Sequence, residues 1–219
     1  MRSILFCSAK GGVGKTTVAG HVSACLAGQG TNVAMVTTAE ADWAKAENLT
    51  VLSTSLDGLR EAVNHGQSVA GSGVFVLDVP ACDGTAGWWV GDADVVLVSD
   101  FEASSLYAAL QTARTWTEAG HAPVGFVLAK AESASTAAEV AGLFRSAASR
   151  FGSMALPFLG SVPATRDSAA LLGRGRFCTG KALAPYEAIA KKLNAERSTA
   201  DKVEVLEALK TRRDKLRAA

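Results

Sequence analysis

The residues that most constrain this chain are 10–17, Lys-Gly-Gly-Val-Gly-Lys-Thr-Thr, placed directly after the apolar run Ile4-Leu5-Phe6-Cys7. A strand that breaks into a glycine turn and then enters a helix is the setting of a phosphate-binding loop, whose general form is Gly, four residues, Gly-Lys-Ser/Thr. A strict match would put the first glycine at position 9, where this chain has Ala9. The turn Gly11-Gly12-Val13-Gly14 is instead bracketed by two lysines, Lys10 and Lys15. Glycines allow successive backbone N–H groups to turn inward around a polyphosphate with no Cβ in the way. Lys15 is then placed to reach the β- and γ-phosphates, and the Thr16 hydroxyl to ligate Mg²⁺. Thr17 follows in the first helical turn, whose dipole serves the same anion. Residues 10–17 are therefore the expected nucleotide-binding segment.

Strand candidates are Ser3–Ser8, Asn32–Thr38, Gly73–Val79, Ala93–Ser99, Pro123–Ala129 and Ala155–Gly160. Their near-continuous, β-branched apolar character suits parallel strands buried on both faces. Helix candidates are Thr16–Gly28, Ser55–His65, Ala103–Ala119, Ser135–Phe151, Gly180–Asn194 and Ala200–Arg217. This alternation predicts an α/β fold, a doubly wound and mostly parallel sheet with helices on both faces. Ligands on such sheets sit at the carboxyl ends of the strands, where the glycine turn lies. With 219 residues and 48% apolar content, one substantial core is the default. We expect a nucleotide-binding domain over 1–195, with 196–219 a basic helix packed on the same domain.

Val74-Phe75-Val76-Leu77-Asp78 is an apolar strand ending in a carboxylate, followed by Val79-Pro80. An acid at this place can hold a magnesium-bound water, which makes Asp78 the second metal-side candidate. Cys7, Cys25, Cys82 and Cys178 are scattered without a Cys-x-x-Cys pair. They suggest neither a zinc site nor a disulfide framework, and a reducing, cytoplasmic setting. No apolar run approaches the roughly 20 residues needed to span a bilayer.

The second lysine narrows the reading. The segment Lys10–Thr17 resembles the deviant Walker A box of the ParA/MinD ATPases, and most of 1–195 is similar to small, ParF-like plasmid-partition members. In that family the extra lysine crosses a dimer interface to the partner's nucleotide, a role the resemblance gives to Lys10. It implies ATP and Mg²⁺ as cofactors, a homodimer when ATP is bound, and a slow ATPase. Asp78 and the residues after it resemble the family's Asp-x-x-Pro element, which makes 79–87 the second switch loop. Leu159–Asp167 resembles its segment bordering the base, which offers Pro163 and Thr165 as base contacts. The tryptophans Trp88-Trp89 read as packing or a partner surface.

The first switch departs from the pattern. Where partition ATPases carry Asp-x-Asp-Pro-Gln after the second strand, Thr37 and Ala39 stand in place of the two acids. Neither can orient a water as a carboxylate would. Glu40 and Asp42 lie in the same loop and are the remaining candidates for that task. Nucleotide binding is thus expected on firmer grounds than hydrolysis, and a non-hydrolysing nucleotide-dependent scaffold is the alternative.

Charge is uneven although the formal net is +1: residues 1–160 hold 9 Lys and Arg against 14 Asp and Glu, and residues 161–219 hold 13 against 7. A basic final quarter suggests a polyanion. Arg174, Arg176, Lys181, Lys191 and Lys192 are the candidate contacts to nonspecific DNA, which needs phosphate neutralisation and no base reading. The resemblance adds a centromere-binding or cargo-adaptor protein as partner, and association with the nucleoid. A membrane role of the MinD type is the further alternative. It is disfavoured because the terminal stretch 200–217 has no aromatic residue and little apolar bulk.

Overall fold

The computed structural model describes residues 1–40, 43, 45–80, 93–150, 156–164, 166–172 and 174–195. The strands are β1 (Arg2–Cys7), β2 (Val33–Thr37), β3 (Leu49–Ser53), β4 (Val74–Asp78), β5 (Asp94–Ser99), β6 (Gly125–Ala131) and β7 (Phe158–Pro163). They form one sheet in the order β3-β2-β4-β1-β5-β6-β7, with every ladder parallel. The helices are α1 (Lys15–Gly28), α2 (Leu59–Ala70), α3 (Ala103–Glu118), α4 (Ala134–Arg150) and α5 (Arg166–Leu172). A short 3-10 turn at Gly180–Ala182 leads into α6, residues 184–195.

Strand periodicity divides the core between two faces. In β1, Ile4 and Phe6 pack with Val18, Val22 and Leu26 of α1 and with Tyr186, Ile189 and Leu193 of α6. Leu5 and Cys7 turn to the other side, where Val63 of α2, Leu110 and Trp116 of α3, and Phe144 of α4 cover the sheet. Both faces of the central strands are buried, hence their uninterrupted apolar runs. The doubly wound expectation holds.

Two elements lie outside the expected set and one has different bounds. Leu49–Ser53, absent from the strand candidates, is an edge strand, half-buried and paired with β2. The last strand runs to Pro163 rather than stopping at Gly160. Its ladder with β6 is interrupted twice by register shifts, and an edge strand with bulges tolerates the Gly160-Ser161 step that reads as a break. Residues 166–172, absent from the helix candidates, form a short helix. Asp42, Cys82, residues 81–87 of the second switch loop, Trp88-Trp89, Thr165 and 196–219 lie outside the described residues.

The end of α6 is fixed to the edge of the sheet where the strands begin. Arg2, 7% exposed, makes an ion pair with Asp94 at 2.7 Å and donates to the Leu193 carbonyl at 3.0 Å and to Asn194 Oδ1 at 3.1 Å. Lys192 donates to the Phe158 carbonyl at 3.1 Å at the start of β7. Cys7, Cys25 and Cys178 are buried, and burial pushes the Cys25 thiol up to about 12. Among the described residues no helix is long and apolar enough to cross a membrane.

His21 is a polar exception in the α1–α6 layer. It is fully buried, stacked on Tyr186 with centroids 4.5 Å apart, and its Nδ1 lies 2.9 Å from the Thr17 carbonyl. That carbonyl can only accept, so Nδ1 carries the proton. Burial lowers the imidazole pKa below its usual 6.5. A depressed histidine leaves stability intact above the unfolded-state pKa and removes it as pH falls below about 6.5, because the unfolded chain then binds the proton more readily. His21→Phe should therefore flatten the fall in denaturation midpoint between pH 7.5 and 5.5, measured in urea. An unchanged slope would mean that other groups carry it.

Candidate functional site

The turn after β1 is built by backbone that only glycine adopts easily. Gly12 (φ 75°) and Gly14 (φ 95°) are left-handed, and Gly14 is also the N-cap of α1. Its carbonyl takes the Val18 N–H at 3.0 Å, so the first N–H groups of α1 have no intrahelical acceptor and face the turn. No acidic side chain occupies that first turn. The result is a concave anion site of N–H groups and a helix dipole. Gly14 is also pressed against β6: a Cβ added there would lie 3.3 Å from Ala129 Cβ.

Lys10, Gly11, Gly12, Val13, Gly14, Lys15, Thr16 and Thr17 line one cleft of about 780 Å³, within the usual range of small-molecule sites. Pro80 after β4, Lys130 on β6, Val162 and Pro163 on β7, Ala164 just after it, and Ser168 and Tyr186 complete its lining. The expected phosphate-loop residues and Pro163 are thus brought together. Ser168 and Tyr186 were not anticipated, since the first depends on α5 and the second reads as core.

At the floor, β1, β4 and β2 are neighbours and their last residues meet. Asp78 is 1% exposed and uses both carboxylate oxygens: Oδ1 lies 2.5 Å from Lys15 Nζ, and Oδ2 accepts from Thr37 Oγ1 at 2.8 Å. Thr37 pairs with Asp78 in the β2–β4 register. Its hydroxyl in turn accepts the Ala39 N–H at 3.0 Å, while Ser53 Oγ of β3 donates to the Ala39 carbonyl at 2.8 Å. Thr37 was read from the sequence only as a missing acid. Its direct partnership with Asp78 follows from strand order, which no local pattern encodes. Glu40 is exposed beyond this bond and is not part of the cleft lining.

At the rim, Lys10 is 41% exposed and makes an ion pair with Glu102, with Ser104 Oγ 3.4 Å away. The Glu102 hydrogen bond and charge hold the Lys10 ammonium pKa above its usual value. Glu102 begins α3, where its backbone N–H donates to Asp100 Oδ1 at 3.2 Å; Lys130 Nζ is 3.3 Å from Asp100 Oδ2. Burial alone would raise the Asp100 pKa, but the Ser105 hydroxyl, the Glu102 N–H and the Lys130 ammonium together bring it below the ordinary carboxylate value. Lys130 has φ 60°, a left-handed backbone unusual for a residue with a Cβ.

The basic residues fall elsewhere. Arg174 and Arg176 are exposed on the turn that closes α5, where both backbone N–H groups converge on the Leu171 carbonyl. Lys181 is exposed on the 3-10 turn, and Lys191 and Lys192 near the end of α6. Lys192 also sits over the Phe158 ring, 5.7 Å from its centroid.

Residues 4–177 match the family described as CbiA, the CobQ/CobB/MinD/ParA nucleotide binding domain. No curated protein sequence matches the chain. Solved structures share the fold at low identity. The septum site-determining protein MinD with Mg-ADP from Pyrococcus horikoshii is 19% identical, with a TM-score of 0.62 over 88% of this chain and 95% of that one. A putative plasmid partition protein from Borrelia burgdorferi bound to AMPPNP is 14% identical, with a TM-score of 0.64 over 89% and 98%. The ATP complex of a Cyanothece McdA variant is 15% identical, with a TM-score of 0.62 over 89% and 96%.

The buried pair Lys15–Asp78 makes the nucleotide-free protein sensitive to loss of either charge. Lys15→Met should lower the unfolding free energy by about 3–5 kcal/mol by stranding the carboxylate, and adding Asp78→Asn should recover part of it. Equal denaturation midpoints for Lys15→Met and wild type would mean that the pair does not form in solution.

Proposed function

We propose, from the premise that the chain belongs to the CobQ/CobB/MinD/ParA family of nucleotide-binding domains, that it is an ATP-dependent dimerising switch that binds DNA nonspecifically and serves partition or cargo positioning. The observation that carries this is the cleft itself. A glycine turn with an open helix N-terminus and a buried lysine at its floor also has a second lysine, Lys10, at its half-exposed rim. A single cation suffices to meet the phosphates of a bound nucleotide. The rim lysine, held by the exposed Glu102 and Ser104, would be able to reach the nucleotide of a facing subunit once it leaves them. Similar structures carry Mg-ADP, AMPPNP and ATP, which supports ATP as the ligand.

Magnesium fits the oxygen donors present. Thr16 lines the cleft, and Asp78 lies buried behind that lining, held on Lys15; both offer hard oxygen of the kind this ion takes directly or through water. When bound, the ion would neutralise charge on the terminal phosphates. Lys15 would turn from Asp78 to those phosphates, exchanging one anionic partner for another. Pro163 and Ala164 wall the cleft beyond the phosphate turn and would border the base, with Thr165 next in sequence.

DNA contact is assigned to Arg174, Arg176, Lys181 and Lys191, whose exposure suits backbone phosphates, with Lys192 contributing from its place on the β7 edge. A centromere-binding or adaptor protein would then stimulate release. The residues 196–219 would add a basic segment packed on the same domain.

One observation favours a second reading, a scaffold that binds nucleotide without hydrolysing it. In the described part of the loop after β2, Thr37 is engaged with Asp78, Ala39 has no acid, and Glu40 lies outside the cleft lining. DNA binding measured at near-physiological salt with no nucleotide, ADP, ATP and a slow-hydrolysing analogue decides between outcomes. We expect ATP-dependent dimers and DNA binding, both lost in Lys10→Ala, and a dimer without DNA binding in Arg174→Glu/Arg176→Glu. ATP-dependent dimers that ignore DNA would remove the DNA assignment, and absence of phosphate release with DNA present would select the scaffold.

A further inference from the structure

We infer that Thr37 is the positioning residue of the magnesium-side centre, aiming Asp78 with the same hydroxyl that fixes the first loop. The inference rests on the reading of the cleft as a Mg²⁺-nucleotide site and concerns a hydroxyl residue at the end of β2. Three observations carry it. Thr37 is fully buried at the end of β2, in register with Asp78. Its Oγ1–H donates to Asp78 Oδ2 at 2.8 Å, and its oxygen accepts the Ala39 N–H at 3.0 Å. Among the described residues, the other side-chain partner of Asp78 is Lys15, on Oδ1.

The two bonds of Asp78 differ in what a nucleotide does to them. Lys15 is drawn toward the phosphates, which frees Oδ1 to face the ion or its waters. Thr37 has no competing anion and keeps Oδ2, so the carboxylate retains its direction at the step when its other tether is lost. A carboxylate at position 37 would be acceptor-only when ionised and would confront Asp78 with a like charge. A hydroxyl donates to the acid instead and still has a lone pair for the loop. The Ala39 bond is a side-chain turn from residue 37 to the N–H two residues on. It ties the first loop to the acid, and Ser53 braces the same loop from β3.

This makes magnesium dependence the property that Thr37 controls, separately from phosphate capture by the glycine turn and Lys15. The test compares wild type, Thr37→Val and Thr37→Ser by titrating a fluorescent ATP analogue with and without chelator, then titrating Mg²⁺ at fixed nucleotide. Losing a hydrogen bond to a charged group should raise the Mg²⁺ concentration at half-saturation about tenfold in Thr37→Val, while chelated nucleotide affinity stays within about twofold. Thr37→Ser should restore the wild-type requirement, because it keeps the hydroxyl. If Thr37→Val does not fold, Thr37→Ala makes the same comparison. An unchanged Mg²⁺ requirement in the hydroxyl-less variant would overturn the assignment. So would equal losses with and without the ion, the signature of a purely structural side chain. No nucleotide binding by the wild type at any Mg²⁺ concentration would overturn the reading of the cleft itself, and Thr37's role with it.

Discussion

The ion pair between Lys15 and Asp78 is the constraint around which the ligand-facing end of this molecule is organised. Lys15 is the first residue of α1 and Asp78 the last of β4, so one contact joins the start of a helix to the end of the strand beside β1. A charge pair removed from water offers little net stability compared with a well-packed apolar pair. Its presence at the floor of a cleft is better understood as a cation kept in reserve. It is neutralised while the cleft is empty and aimed where an anion will arrive.

Everything around that pair follows from placing β1 between β4 and β5. The strand order brings the ends of β2 and β4 together, which lets a threonine from one hold the aspartate of the other. On the opposite flank, the start of α3 presents Glu102 to Lys10, and Asp100 to Lys130. Each lysine of the cleft thus meets a carboxylate of its own chain: Lys15 with Asp78, Lys10 with Glu102, Lys130 with Asp100. On the function proposed above, incoming phosphates would compete with these acids, so occupancy of the cleft would redistribute contacts already made. The partners differ in burial, and Lys10, at the exposed rim, is the one whose release would change the outer surface.

Much of this was legible in the sequence because it is local. The glycine turn and both lysines are contiguous, and Asp78 closes an apolar run, so neither needs knowledge of the fold. The central strands declare themselves by burial on both faces. What escaped depends on partners distant in the chain. Leu49–Ser53 is half-exposed and short, and its strand character comes from β2 beside it. The β7 ladder passes through Gly160-Ser161 because bulges absorb the irregularity. Thr37 looked like a deficit because sequence shows the acid it lacks and conceals the aspartate it touches. Ser168 reaches the cleft through a seven-residue helix too short for periodicity to reveal.

The Arg2 clamp has a mechanical meaning. By holding Asp94, the Leu193 carbonyl and Asn194 together, it couples the exit of α6 to the first residue of β1, at the opposite end of that strand from the glycine turn. A load on the end of α6 would pass into β1 through Arg2 and into β7 through Lys192. Any component directed along β1 would meet the ladders with β4 and β5 in shear, with their bonds loaded side by side rather than unzipped in turn. The strand that leads into the glycine turn would thus share tension placed on α6.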